Sequence, residues 1–172
     1  SDITPNYSQG NNRIEELMAI YVKAQQEMEP NKNFWADANG TLRLTYGKLE
    51  GSRPRDGVEY LPFTTLGGVI DKYVPGHADF DLPPRLIELY NEKDYGQYTN
   101  AQGQVPVCFT GSNHTTGGNS GSPALNAEGH LIGLNFDRSW ESTMSDIMFD
   151  PDLCRNIMVD IRYVLFIIDK YA

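Results

Sequence analysis

The run Thr115-Thr116-Gly117-Gly118-Asn119-Ser120-Gly121-Ser122-Pro123 constrains the fold of this chain more than any other stretch. Upstream of it, Val105-Pro106-Val107-Cys108-Phe109 reads as a strand. Downstream, Pro123-Ala124-Leu125-Asn126 and His130 to Phe136 read as a strand pair around Ala127-Glu128-Gly129, where glycine supplies the positive φ of a hairpin turn. A bare Gly-x-Ser-Gly is frequent by chance and reads as well as a glycine-rich turn carrying a solvated serine. Here the motif is the longer Gly-Asn-Ser-Gly-Ser-Pro, and a strand pair follows it where the nucleophile elbow of an α/β hydrolase needs a helix. The loop therefore suits a β-barrel peptidase, with Ser120 as the nucleophile. Gly117, Gly118 and Gly121 leave its backbone free to turn the N–H groups of Gly118 and Ser120 toward one point, the requirement of an oxyanion hole.

The rest of the chain divides near residue 35. Ile14, Leu17, Met18, Tyr21, Ala24 and Met28 recur at spacings of three and four, which predicts an amphipathic helix over 11–29 that Pro30-Asn31-Lys32-Asn33 stops. Thr41-Leu42-Arg43-Leu44-Thr45-Tyr46 alternates apolar and polar residues and predicts a half-exposed strand, with another at Val58 to Phe63. Pro83-Pro84 opens a short helix running to Tyr90, and Ile157, Ile161, Val164, Leu165 and Ile168 predict one face of a terminal helix. The reading is a helical segment, 1–34, and a mainly β portion with flanking helices, 35–172.

Composition narrows the function classes. In 172 residues, 40% are hydrophobic and 22% charged, the balance of one globular domain. A net charge of −9 repels phosphate backbones and anionic membrane surfaces, so nucleic acid is not the expected partner, and an anionic ligand needs a local basic feature. The apolar run Val164 to Ile168 is far too short to span a bilayer, which takes about 20 residues. The start, Ser1-Asp2-Ile3, has no methionine, basic segment or apolar signal core and reads as a processing boundary. Cys108 and Cys154 make no CxxC pair; they are either two separate thiols or one disulfide. No spacing of His, Cys, Asp or Glu predicts a metal, and no motif calls for a cofactor.

Three stretches carry a resemblance: Gly-Asn-Ser-Gly-Ser-Pro, the segment His130 to Glu141 (HLIGLNFDRSWE) and the segment Val159 to Lys170 (VDIRYVLFIIDK), preceded by FWADANGTLRLTYG from Phe34. From about residue 34 to 172 the chain resembles the C-terminal part of the bacterial dipeptidyl-peptidases of the chymotrypsin clan, family forty-six of the serine peptidases. The resemblance implies a trypsin/chymotrypsin-like antiparallel β-barrel, the second of two, preceded by the tail of an inserted helical domain. It also implies peptide substrates, a periplasmic or cell-surface location and a homodimer at full length. Ser120 carries over as nucleophile, with the Gly118 and Ser120 amides as oxyanion donors. Asp137 matches the aspartate that holds the peptide α-amino group. Arg138, eighteen positions after Ser120, matches the arginine of the branch that cleaves after Asp or Glu. A guanidinium fork suits a carboxylate there and supplies the basic feature that the net charge demands.

The triad histidine and aspartate of that clan precede the serine in the first barrel, outside these residues. His77, His114 and His130 are the histidines available, and each reads as a solvated side chain rather than a base, since a base must reach the hydroxyl and be held by a third group. The fragment alone is then expected to be inactive. A second reading is a non-catalytic peptide-binding or structural module that keeps a peptidase-like half barrel. Asp137 and Arg138 without the resemblance are a surface charge couple; Ser145-Asp146 and Asp150 to Asp152 read as structural or solvated, Asp160-Ile161-Arg162 as polar residues of a helix surface, and Trp140 lies near the peptide site.

Overall fold

The computed structural model describes residues 3–32, 34 and 40–172. Two units separate by their internal contacts, Ser1–Ala36 and Asp37–Ala172. The first is one helix, α1 (Ile3–Met28), longer at its N-terminal end than the apolar spacing alone predicts. Its predicted apolar face, including Ile14, Leu17, Met18 and Tyr21, is exposed. No helix among the described residues is long and apolar enough to cross a membrane.

The second unit mixes antiparallel sheets with short helices. In chain order it contains β1 (Ser52–Arg55), β2 (Val58–Tyr60), β3 (Phe63–Thr65), α2 (Leu66–Ile70), α3 (Pro84–Glu92), β4 (Pro106–Gly111), β5 (Pro123–Leu125), β6 (Leu131–Arg138), β7 (Asn156–Asp160) and α4 (Ile161–Phe166), which continues as π-helical turns over Ile167–Tyr171. β1 and β2 form a separate ribbon, and the other five strands make one antiparallel sheet in the order β3-β4-β7-β6-β5. Among the described residues β3 and β5 are its free edges, with no pairing between them.

The serine-loop hairpin forms as its residues dictate. Asn126 Oδ1 accepts from the N–H groups of Glu128 (3.1 Å) and His130 (2.8 Å), and Gly129 takes φ +81°, so β5 turns back into β6. Gly133 faces Ala124 on β5 and Asp160 on β7. A Cβ there would lie 2.5 Å from the Val159 carbonyl oxygen and 2.7 Å from the Phe109 ring, so the bare glycine lets the neighbouring strand and a core ring close on β6.

Three sequence expectations fail here, the first being the single strand Val58 to Phe63, which breaks at Leu61-Pro62 into β2 of the ribbon and β3 of the five-stranded sheet. Thr41–Tyr46 forms no strand among the described residues: Thr45 Oγ1 donates to His114 O at 2.6 Å, the first β-bridge comes further on, Leu49 to Gly111, and Leu42, Leu44 and Tyr46 are 104%, 89% and 88% exposed. Alternation says which residues share a face, but a strand also needs a partner. Ile157 belongs to β7, not to the terminal helix, because the helix begins only after Asp160. That aspartate is 3% exposed and accepts from Arg162 N–H at 2.9 Å as the N-cap, while its carboxylate takes Nε and Nη2 of Arg162 at 2.9 and 2.7 Å. The pair is thus a buried cap at the strand end rather than helix-surface decoration.

Leu66, Leu86, Leu89, Val105 and Phe166 form the core between α2, α3, α4 and the entry to β4. Burial of five such side chains fixes the sheet end from which the terminal helix leaves, at roughly 1.5–3 kcal/mol for each large aliphatic or aromatic side chain. Cys108 and Cys154 are free thiols, half-buried and buried, and burial raises the Cys108 thiol above its usual range.

Candidate active site

The loop between β4 and β5 turns twice. Thr116 N–H donates to Asn119 Oδ1 at 3.0 Å while Asn119 N–H returns to Thr116 O at 3.3 Å, closing the first turn with the side chain of the residue before the serine. Gly118 at φ +92° and Gly121 at φ +82° flank the serine in conformations that a side chain disfavours. Gly121 N–H then donates to Asn135 O at 2.7 Å and Asn135 N–H to Ser122 O at 2.9 Å, so the loop is stitched to β6 directly after Ser120.

This leaves Ser120 exposed, with its hydroxyl 3.4 Å from Phe136 O. That separation is long for an O–H···O bond, whose usual value is about 2.7–2.8 Å, so the hydroxyl is weakly held. Among the described residues no acceptor takes the N–H of Gly118 or of Ser120. Both neighbours spend theirs, Asn119 inside the loop on Thr116 O and Gly121 on Asn135 O of β6. Two unengaged donors flanking an exposed hydroxyl are what an oxyanion site requires.

No base accompanies it among the described residues. His77 accepts from Asp79 N–H and packs on Phe80, and His130 lies 3.4 Å from Asn126 Nδ2. His114 corrects the expectation of a solvated ring. It is half-buried, packs on Phe149 with 4.7 Å between ring centres, and hydrogen-bonds to the Ser145 backbone. Burial is the largest effect and lowers its basicity; the Ser145 bond and Asp146 oppose it, and the nearby Arg138 charge adds the smallest effect, in the lowering direction. A neutral ring here makes stability pH-dependent. Its folded value lies below the unfolded value of about 6.5, so the unfolded chain gains a proton first and the stabilisation present above that pH is lost as pH falls through it. We expect the urea midpoint to drop between pH 7.5 and 5.5, and His114→Gln to flatten that drop; an equal pH slope in the variant would refute the assignment.

Beyond the serine loop, β6 carries a bulge. Asn135 pairs with Met158 and Asp137 with Ile157, so Phe136 is an extra residue. The bulge breaks the alternation and makes Phe136 and Asp137 exposed in succession. Asp137 Oδ1 accepts from Arg138 N–H at 2.7 Å, which fixes its carboxylate at the exposed strand end.

The Arg138 side chain is not a loose surface charge. Its Nη1 donates to Asp146 Oδ1 at 2.6 Å, and its Nη2 to Asp146 Oδ2 at 3.1 Å. Ser145 Oγ at 2.8 Å and Thr115 O at 3.3 Å also accept from Nη1. The guanidinium fork holds the Asp146 carboxyl below the ordinary carboxylate range, and the same hydrogen bond raises Arg138 further. Thr115 belongs to the serine loop, so Arg138 ties that loop to the segment after β6. Sequence reasoning left Ser145 and Asp146 as structural or solvated; the available signal was a carboxylate eight positions beyond the arginine, across a segment rich in Ser and Thr. Exposed Trp140 starts a single 3-10 turn in that segment. No cluster of His, Cys, Asp and Glu among the described residues has the makeup of a metal site.

Comparison with known proteins bears on this arrangement. The profile described as Peptidase S46 matches residues 2–172. The "Asp/Glu-specific dipeptidyl-peptidase" of Flavobacterium psychrophilum is 60% identical over 99% of the chain, and the chain covers 24% of that protein. "Dipeptidyl-peptidase 7" of Phocaeicola vulgatus is 51% identical over 90% of the chain and 21% of its own length. Among solved structures, Porphyromonas endodontalis DPP11 in complex with the dipeptide Arg-Glu aligns with TM-score 0.81 at 50% identity, over 88% of this chain and 22% of that one. The chain therefore spans about a quarter of the length of the curated relatives it matches.

Proposed function

The chain belongs to the Peptidase S46 family, and from that premise we propose that it supplies the nucleophile and the acid-reading side of a serine dipeptidyl-peptidase, of the kind named DPP11, that releases dipeptides ending in Asp or Glu. The observation that carries this reading is Ser120 and Arg138 on one scaffold. The loop of the exposed serine is joined to β6 at Asn135, and the arginine at the end of β6 bonds back to the same loop at Thr115. Identity alone does not choose the specificity, since relatives with differently named activities are similar at comparable levels.

In this reading a base from outside the chain takes the Ser120 proton and Oγ attacks the carbonyl carbon of the second residue. The developing oxyanion sits before the Gly118 and Ser120 N–H groups. Collapse expels the amine of the shortened peptide, and water then releases the dipeptide from the acyl-serine. Asp137 pairs with the peptide α-ammonium, which limits the product to two residues, and Arg138 takes the acidic side chain. The triad histidine and aspartate lie in the other half of the peptidase domain, so these 172 residues alone are inactive. The same proposal makes 35–172 the second of two β-barrels and 1–34 the end of an inserted helical domain. It places the full-length homodimer in the periplasm or at the cell surface.

The test uses full-length protein on Leu-Asp-X and Leu-Ala-X peptides, each with a free and a blocked N-terminus. Release of dipeptide from free Leu-Asp-X alone is the expected result. Cleavage of blocked peptides would replace the exopeptidase by an endopeptidase, and no cleavage by folded protein would favour a peptide-binding module.

A further inference from the structure

A guanidinium has five N–H donors in one plane, arranged on two forked edges. In Arg138 the end-on edge is committed. Nη1 and Nη2 each give one hydrogen to Asp146, and the second hydrogen of Nη1 is left for Ser145 Oγ or Thr115 O. What remains is Nε–H and the second N–H of Nη2, which lie parallel on the side-on edge. Among the described residues neither of these two hydrogens has an acceptor. A carboxylate that meets this edge makes two charge-assisted bonds without displacing Asp146.

Resting on the reading of Arg138 given above, we propose that Asp146 is a specificity-determining positioning residue: by clamping the end-on edge of Arg138 it presents the side-on edge to the acidic side chain of the peptide.

The alternative is an exposed ion pair of little consequence, and for Asp146, with a half-exposed side chain, that would be the default. The segment carrying Asp146 argues otherwise. Ser142 and Ser145, three apart and each 1% exposed, anchor it from below. Ser142 Oγ accepts from Arg155 N–H at 2.8 Å and donates to Arg155 O at 3.2 Å, beside the entry to β7. Ser145 N–H donates to Ser142 O at 2.9 Å, the Ser145 hydroxyl meets Arg138, and His114 binds the Ser145 backbone from the side of the serine loop. The Asp146 carboxylate thus sits on a segment fixed to β7, to β6 and to the nucleophile's loop. Together Arg138 and Asp146 also carry no net charge, so acid recognition at this place depends on the direction of two hydrogen bonds rather than on excess positive potential.

The experiment measures kcat and KM of the full-length enzyme and its Asp146→Asn, Asp146→Ala and Asp146→Glu variants on free Leu-Asp-X and, for the preference, on free Leu-Ala-X, with fluorophosphonate labelling of Ser120 and thermal unfolding alongside. Asn keeps the shape but turns one prong into a donor facing Nη2. We expect KM for Leu-Asp-X to rise about tenfold in the Asn and Ala variants, the scale of a lost bond to a charged group, and KM for Leu-Ala-X to stay unchanged. Turnover at saturation stays within about twofold. Labelling and melting stay at the wild-type level, and Glu restores part of the KM. A general structural role would move labelling or melting as well. An unchanged KM in the Asn and Ala variants overturns the proposal, and a lowered KM does so too, by making Asp146 a competitor of the substrate. If wild type itself shows no preference for acidic peptides, the reading of Arg138 falls; if wild type keeps the preference and the variants do too, only the role of Asp146 falls.

Discussion

Replacing Ser120 by alanine in the full-length protein lowers kcat for dipeptide release by about 10⁴ to 10⁶, the range seen when a peptidase loses its nucleophile and keeps only binding and oxyanion contacts. The expectation follows from how little else the hydroxyl does. Ser120 is exposed, and its hydroxyl has one long contact, to Phe136 O, so removing Oγ opens no cavity and orphans no buried donor. The loop is held instead by backbone bonds at Gly121 and Ser122 and by the Asn119 side chain, all of which survive the change. The unfolding midpoint therefore stays within about 0.5 kcal/mol of wild type. Fluorophosphonate labelling disappears, and KM for free Leu-Asp-X stays near its original value. Retained turnover in the alanine variant would remove Ser120 from the chemistry and leave a glycine turn in a peptide-binding module.

The parts of this site that were legible in the sequence are those set by local chemistry. Gly129 announced a positive φ and has it, and of the three loop glycines read as leaving the backbone free, Gly118 and Gly121 take positive φ while Gly117 does not. The strand pair around Ala127-Glu128-Gly129 followed from a glycine at a turn. What stayed hidden depends on partners distant in the chain. The Thr41–Tyr46 alternation looked like a strand, but no described strand offers it a ladder. Ile157 had the spacing of the terminal helix, and only the burial of Asp160 beside Arg162 shows where the strand ends. The bulge at Phe136 is equally silent, because one extra residue leaves the composition of a strand unchanged. His114 looked solvated in a polar loop until Phe149 and Ser145, more than thirty positions away, closed over it. Asp146 belongs with these: a turn-like Ser-Asp pair acquires a role only when the chain returns it to Arg138.

That return makes the substitution Arg138→Gly more than the loss of a positive charge. Two charge-assisted bonds to the substrate carboxylate disappear, at about 1.5–3 kcal/mol each, which is a fall of about 10²-fold or more in kcat/KM for acidic peptides. The Asp146 carboxylate, until then neutralised by the fork, is left facing the same place and repels an incoming acid. Both effects act against Leu-Asp-X and neither acts against Leu-Ala-X, so the preference ratio is expected to fall by about 10³-fold. Labelling of Ser120 persists, because Gly121 and Asn135 keep the nucleophile's loop on β6 without the arginine. Arg138→Lys keeps the charge without the fork and falls between the two. The paired variant Arg138→Gly with Asp146→Asn separates the contributions: removing the stranded carboxylate recovers part of the acidic-peptide rate, while the remaining deficit measures the two lost bonds. An Arg138→Gly enzyme that still prefers Leu-Asp-X by the wild-type ratio would place the acid-reading group elsewhere, and the fork between Arg138 and Asp146 would then be a fastening between β6 and the segment that follows it.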